Sequence, residues 1–216
     1  MTTATNDPPT REWHAGTRCT AFKGSRRIAT GELARVALKV KAEVDHDGGA
    51  APVLVFDNAT GEQVDLDLHG GASDVVKRLS PAPKQPAPTD DAQMLAEQSP
   101  RGPGRPKLGV VAREVTLLPR HWDWLNTQPG GASVALRKLV ETARRENAGR
   151  DRIRRSQEAT YRFMSAMAGN RPGFEEATRA LFAGDGKRFA RLVEPWPAAV
   201  RNYASKLAGE AFHAAE

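Results

Sequence analysis

The chain has 216 residues, 39% of them hydrophobic but only 6% aromatic, with 15 prolines, 19 glycines and one cysteine, which allows one or two domains with small cores joined by loops. The lone Cys19 excludes an internal disulfide and a cysteine-based zinc site, and no apolar run is long enough to span a bilayer, so a soluble protein of the reducing cytoplasm is expected. The net charge of +6 is concentrated, since residues 101–155 carry 13 basic against 5 acidic side chains; such a block attracts polyanions, nucleic acid first among them, or is simply a solvated Arg-rich helix.

The N-terminus, MTTATNDPP, has neither the basic nor the apolar region of a signal peptide, and residues 1–16 are expected to be a loose terminus. Thr17 to Ile28 is strand-like, with a break at Lys23-Gly24-Ser25 that permits a hairpin. Thr30 is the expected N-cap of an amphipathic helix, with Leu33, Val36, Ala37 and Val40 recurring at helical spacing. A second hairpin is expected from Pro52–Asp57 and Glu62–Leu68 around the turn Asn58–Gly61, with Val64, Leu66 and Leu68 alternating against Asp65, Asp67 and His69. Ser73 is the expected cap of a short helix, DVVKRL. Residues 17–80 thus read as a small β-α-β-β-α domain. Asp65, Asp67 and His69 are formally metal ligands on one strand face, but they read as the polar alternation of a half-wet strand, and no metal or other cofactor is expected. Cys19, among strand residues, reads as a small buried hydrophobe.

Residues 81–104 (PAPKQPAPTDDAQMLAEQSPRGPG) form a Pro-rich linker, with room for a short helix around 92–98. A basic unit follows over 105–149. Arg113–Leu118 is a strand candidate, and Pro119 suits the first position of a helix carrying Trp122 and Leu125 on one face. Pro129-Gly130-Gly131 ends that helix. Ser133 is the expected N-cap of a second one, with Leu136, Leu139, Val140 and Ala143 inward and Arg137, Lys138, Arg144 and Arg145 on other faces. Residues 150–216 read as a C-terminal helical bundle: a basic first helix with Ile153, Tyr161 and Met164 inward, then GFEEATRALF, KRFARLV and a last helix after Pro195-Trp196-Pro197. Its Phe163, Phe174, Phe182, Phe189 and Trp196 are expected in the core rather than as a base-stacking platform. The fold class is α+β.

Two short resemblances bear on the basic unit. Gly104-Arg105-Pro106-Lys107 resembles the minor-groove core of the AT-hook, in which a proline-stiffened backbone lets arginine enter a narrow groove; Pro103 stands where the full hook has arginine, and a plain linker end is the alternative. Leu118-Pro119, Trp122, Leu125, Gly131-Ala132-Ser133, Leu136-Arg137 and Leu139-Val140 resemble the ribbon-helix-helix DNA-binding domains. That resemblance implies a homodimer whose paired strands enter the major groove, with the second helix's N-terminus on a backbone phosphate. The strand departs from the pattern: one face offers Arg113, Val115 and Leu117, the other Glu114 and Thr116. A strand-helix-helix piece packed within its own chain is the alternative. Over nearly the whole chain, the segments CTAF, VLVFD, VDLDL, GRPKLGV, REVTLLPRHWDWL, GGASVALRKLVE, YRFMSAMAG and PGFEEATRALFAGD are similar to a widespread bacterial family, the domain of unknown function numbered 2239.

DNA is the expected partner, met through the backbone more than through base readout, by a protein of the transcriptional-regulator kind. The DNA-binding residues so expected are Arg105, Lys107, Arg113, Thr116, Ser133, Arg137, Lys138, Arg144 and Arg145. The alternative is a protein-interaction or assembly module. No phosphate loop or nucleophile elbow is present, and an enzyme is not expected.

Overall fold

The computed structural model describes residues 13–47, 51–79 and 114–213. It is an α+β protein with eight helices and one three-stranded sheet among those residues. The chain divides into two units, one made of residues 1–82 with 149–216 and the other of residues 83–148; each is described on its own.

In the first unit β1 (Arg18–Lys23) is the central strand, flanked by β2 (Arg26–Glu32) and β3 (Val53–Asp57), both antiparallel to it. The β1–β2 hairpin expected at Lys23-Gly24-Ser25 is present, with Lys23 opposite Arg26 and a bulge between Ala21 and Phe22. Opposite β3, Thr20 pairs with Phe56, Ala21 with Val55 and Phe22 with Leu54. Side chains alternate across a sheet, so the strands contribute to two cores. Cys19, Ala21 and Val55 join Leu33, Val36 and Val40 of α1 (Leu33–Asp47) on one side. Phe22 and Phe56 join Phe163, Met164, Leu181, Phe189, Val200 and Tyr203 on the other.

Those last residues come from α5 (Ala148–Ala168), α6 (Phe174–Phe182), α7 (Gly186–Val193) and α8 (Ala198–Leu207). Residues 17–80 and 150–216, expected as separate domains, therefore share one core, because the sheet's second apolar face needs cover that its own segment does not supply. The aromatic centre is closely built. Phe163 lies 5.4, 5.0 and 4.6 Å, ring to ring, from Phe22, Phe56 and Tyr203, within the range where edge-to-face pairs gain energy beyond area burial.

Local details depart from expectation where chain continuity overrides capping. Thr30 is no N-cap: β2 runs on to Glu32 and α1 starts at Leu33, while the Thr30 hydroxyl bonds that of Thr20 at 2.9 Å. The second arm of the later hairpin pairs only at Gln63, opposite Phe56. Val64 nevertheless donates to the Val55 carbonyl and is buried, and Leu66 and Leu68 pack beside it, so the apolar alternation survives without a ladder. Helix α2 spans Ala72–Leu79; Ser73 lies inside it, and Asp74 reaches back to accept the Gly71 N–H at 2.9 Å, as the acidic partner of a capping box does. Tyr161 and Phe182, expected inward, are 42% and 50% exposed and pack against each other at the surface, their rings tilted by 59°. Asp185 caps α7, accepting from the Arg188 N–H at 2.9 Å.

The turn Asn58–Gly61 is fixed from two directions. The Asp57 carboxylate accepts from the Ala59 N–H at 2.7 Å, and Gly61 donates to the Asp57 carbonyl. From the other side Arg162 of α5 donates to the Thr60 carbonyl at 3.1 Å. Asn58 Oδ1 accepts from both Thr20 and Tyr203 hydroxyls at 2.8 Å, a network that joins β1, the turn and α8.

Candidate nucleic-acid interface

The second unit is described over residues 114–148. Glu114–Leu118 forms no strand and pairs with none among the described residues, so the expected strand over Arg113–Leu118 is not seen in the part of it that is described. Arg105, Lys107 and Arg113 lie outside the described residues. Thr116 is exposed, as are Glu114, Val115 and Leu118, and Leu117 is half-buried. Exposure on both parities leaves neither face of the segment distinguished as inward.

Pro119 opens α3 (Pro119–Asn126), as expected, and the Leu118 carbonyl accepts from the His121 N–H at 2.8 Å. Proline at the first helical position loses no hydrogen bond. Thr127 closes the helix, its hydroxyl donating to the Trp124 carbonyl at 2.7 Å. Gly130 and Gly131 then take φ of 86° and 75°, the left-handed region open to glycine. Helix α4 begins at once and runs Gly131–Glu146 with Gly130 at the N-cap. Ser133 is therefore the third residue of α4, exposed, and its side chain does not cap.

Around α4 the side chains sort into two stripes. At 100° per residue, Arg137, Lys138, Arg144 and Arg145 fall on one side with Glu141 between them, and Leu136, Leu139, Val140 and Ala143 fall on another. All four cations are exposed. Glu141 pairs with Arg144 at 3.4 Å and with Arg145 at 3.3 Å, and Arg137 donates through Nε to the Ser133 carbonyl. Lys138 has no partner among the described residues. The expected DNA-binding residues of α4 thus form one exposed stripe, partly neutralised by one carboxylate.

The apolar stripe is only half covered. Leu125 and Ala135 are buried at 2% and 8%, but Leu139 and Val140, expected inward, are 48% and 64% exposed. Length explains this. Helix α3 has eight residues and α4 sixteen, so at 1.5 Å per residue α3 is half as long and cannot cover the last turns of α4. Val115, Leu118 and Trp124 are also about half exposed. No sequence signal marked these five as uncovered, because periodicity reports an apolar face and not its neighbour.

The formal ligand set of the first unit does not assemble. Asp67 pairs with His69 Nδ1 at 2.7 Å and with Arg78 Nε at 3.2 Å. Hydrogen bonds from His69, then the Arg78 charge, hold its carboxyl below the usual carboxylate range. Among the described residues no group of three or more His, Cys, Asp or Glu side chains could hold a metal ion, and no helix is long and apolar enough to cross a membrane.

The chain belongs to the bacterial family described as "Uncharacterized protein conserved in bacteria (DUF2239)", whose model matches residues 18–208. No curated protein and no solved structure matches it.

Proposed function

We propose that this protein is a cytoplasmic, non-enzymatic DNA-binding protein of the transcriptional-regulator kind, acting as a dimer and holding the phosphate backbone through α4. The carrying observation is the two-sided character of that helix: an exposed stripe of Arg137, Lys138, Arg144 and Arg145 beside an uncovered stripe of Leu139 and Val140. The cations supply backbone contacts. The uncovered stripe, with Val115, Leu118 and Trp124, supplies the surface a second copy would bury. Arg105 and Lys107 would add groove or phosphate contacts from the arm preceding the unit, with Arg113 and Thr116 beside them.

Anisotropy of a labelled mixed-sequence duplex tests this. Affinity should fall steeply with salt, by a log–log slope of about −0.9 per phosphate contacted. Arg137→Ala with Lys138→Ala should flatten that slope, and Glu141→Gln, which frees Arg144 and Arg145 from their acid, should raise affinity by a few-fold. Absence of binding to any duplex at low salt sinks the reading. Analytical ultracentrifugation should give a dimer that Leu139→Asn with Val140→Asn converts to monomer.

The same five exposed apolar side chains favour a second reading, an interaction module whose uncovered face meets another protein. Recovery of a stoichiometric partner resistant to nuclease, from a chain that ignores duplex DNA, would select it.

A further inference from the structure

A surface hollow of about 310 Å³ lies in the first unit, where α5, the end of α8 and the Asn58–Ala59 turn meet. Its α5 wall is Arg152, Arg155, Ser156 and Ala159, at steps of three, four and seven residues, which places them on one helix face. That face is locked to α8, since Ser156 is buried and donates to the Leu207 carbonyl at 2.6 Å. Lys206, the residue before Leu207, also lines the hollow. The third wall is held by the Asn58 side chain between the Thr20 and Tyr203 hydroxyls. The walls are therefore ordered by one buried and two part-buried hydrogen bonds, and the cations on them stand on helices.

Three positive side chains line this hollow against one acidic one, Glu210. Among the described residues neither Arg152 nor Lys206 has an ion-pair partner, and Glu210 lies within pairing distance of none of the three. Arg155 spends only its Nε, on the Asp151 carbonyl at 3.1 Å, which leaves both terminal nitrogens free. Like charges converging on a concave site raise its positive potential and attract an anion. Two other arginines of this unit are paired instead: Arg154 with Asp151 at 2.9 Å, and Arg179 with Glu175 and Glu176.

We infer that this hollow is an anion site that takes a phosphate group. Two guanidinium forks and an ammonium lining one hollow offer more donors and charge than a single carboxylate can use, and match an oxyanion with several acceptor oxygens. The volume leaves room for the phosphate with its first waters, each taking roughly 30 Å³. The same group could arrive on a nucleic-acid backbone or on a small phosphorylated molecule. The inference does not depend on α4 binding DNA.

The test uses the full chain with inorganic phosphate as probe, followed by amide shifts in ¹H–¹⁵N spectra. Shifts should centre on residues 152–159 and 206–210, sulfate should reproduce them and acetate should not. Arg152→Ala with Arg155→Ala should weaken binding by about tenfold or more, whereas Lys187→Ala with Arg188→Ala, on exposed positions of α7, should leave it unchanged. Lys206→Gln provides a second variant, also at an exposed position, should the double one unfold. Shifts absent from this region, or unaltered by both pocket variants, overturn the inference. Duplex anisotropy on the same variants then separates the sources: a loss competed by phosphate assigns the group to a nucleic-acid backbone, and unchanged duplex binding, or a chain that binds no duplex, assigns it to a small molecule.

Discussion

Gly61→Ala isolates the joint between the sheet and the C-terminal helices. Gly61 sits at φ 65°, and a Cβ there would overlap the backbone carbonyl of Ala159 in the middle of α5. Two costs add. The left-handed conformation costs a residue with a side chain about 1–2 kcal/mol, and forcing the turn off a helix backbone that cannot rotate away costs a further ~1–3 kcal/mol, as overpacking does. Gly184→Ala is the control, since Gly184 has φ 71° but nothing within 4 Å of its added Cβ, so only the first cost applies. For a chain of this size each kcal/mol lowers Tm by about 2–4 °C, which puts Gly61→Ala roughly 5–15 °C below wild type and Gly184→Ala only a few degrees below. Thermal unfolding followed by circular dichroism reads both. Equal losses for the two variants would refute the close approach of turn and helix.

Two further perturbations probe the cores on either side of the sheet. Phe163→Ala removes the ring at the centre of the Phe22–Phe56–Tyr203 cluster and should cost about 3–5 kcal/mol in urea unfolding, whereas Phe182→Ala, half exposed, should cost well under that; similar losses would place the core elsewhere. Alkaline pH should destabilise the fold through Cys19, whose thiol is pushed up from 9.0 to about 12, first by burial and then by the Asp57 carboxylate. Between those values the folded thiol keeps a proton that the unfolded one has released, so stability present at pH 9 is lost as pH rises towards 12; burial raises the Tyr203 hydroxyl in the same sense. Urea midpoints across that range should fall, less steeply in Cys19→Ala, and Ellman's reagent should reach the native thiol only after denaturant is added. An identical decline in Cys19→Ala would remove Cys19 as a source.

Much of the fold was legible because local pattern decides it. Leu33, Val36, Ala37 and Val40 are buried as their spacing requires, and the Asn58–Gly61 turn forms where its residues predict. What covers a face is not local. The segment Val53-Leu-Val-Phe-Asp57 is a continuous apolar run, the signature of a strand covered on both sides, and its Val55 and Phe56 do enter different cores. An amphipathic helix shows only that it needs a partner, so nothing in α5 or α8 named the sheet as theirs. The hollow at Arg152, Arg155 and Lys206 was hidden for the same reason, since Lys206 stands more than fifty positions from the two arginines and joins them only because α5 packs on α8, with the Ser156–Leu207 bond between them.

The basic unit presents the opposite case, where pattern and packing disagree and the disagreement carries information. Its helical apolar period runs through Leu136, Leu139 and Val140, yet among the described residues α3 covers only the first turns of α4. The preceding segment behaves alike, with Val115 and Leu118 exposed at opposite parities and no strand to fix which side turns inward. Among the described residues of this unit the two buried apolar side chains, Leu125 and Ala135, contribute only a few kcal/mol at ~1.5–3 each for a full-sized apolar group, little against the entropy of ordering some thirty residues. An apolar stripe that is periodic but uncovered among the described residues is what the proposed dimer rests on, and the cation stripe beside it would give such a dimer a charged face. Oligomeric state and salt-dependent duplex binding, measured on the same Leu139 and Val140 variant, decide whether completion and charge belong to one function: coupled loss of both ties DNA binding to dimerisation, and loss of the first alone separates them.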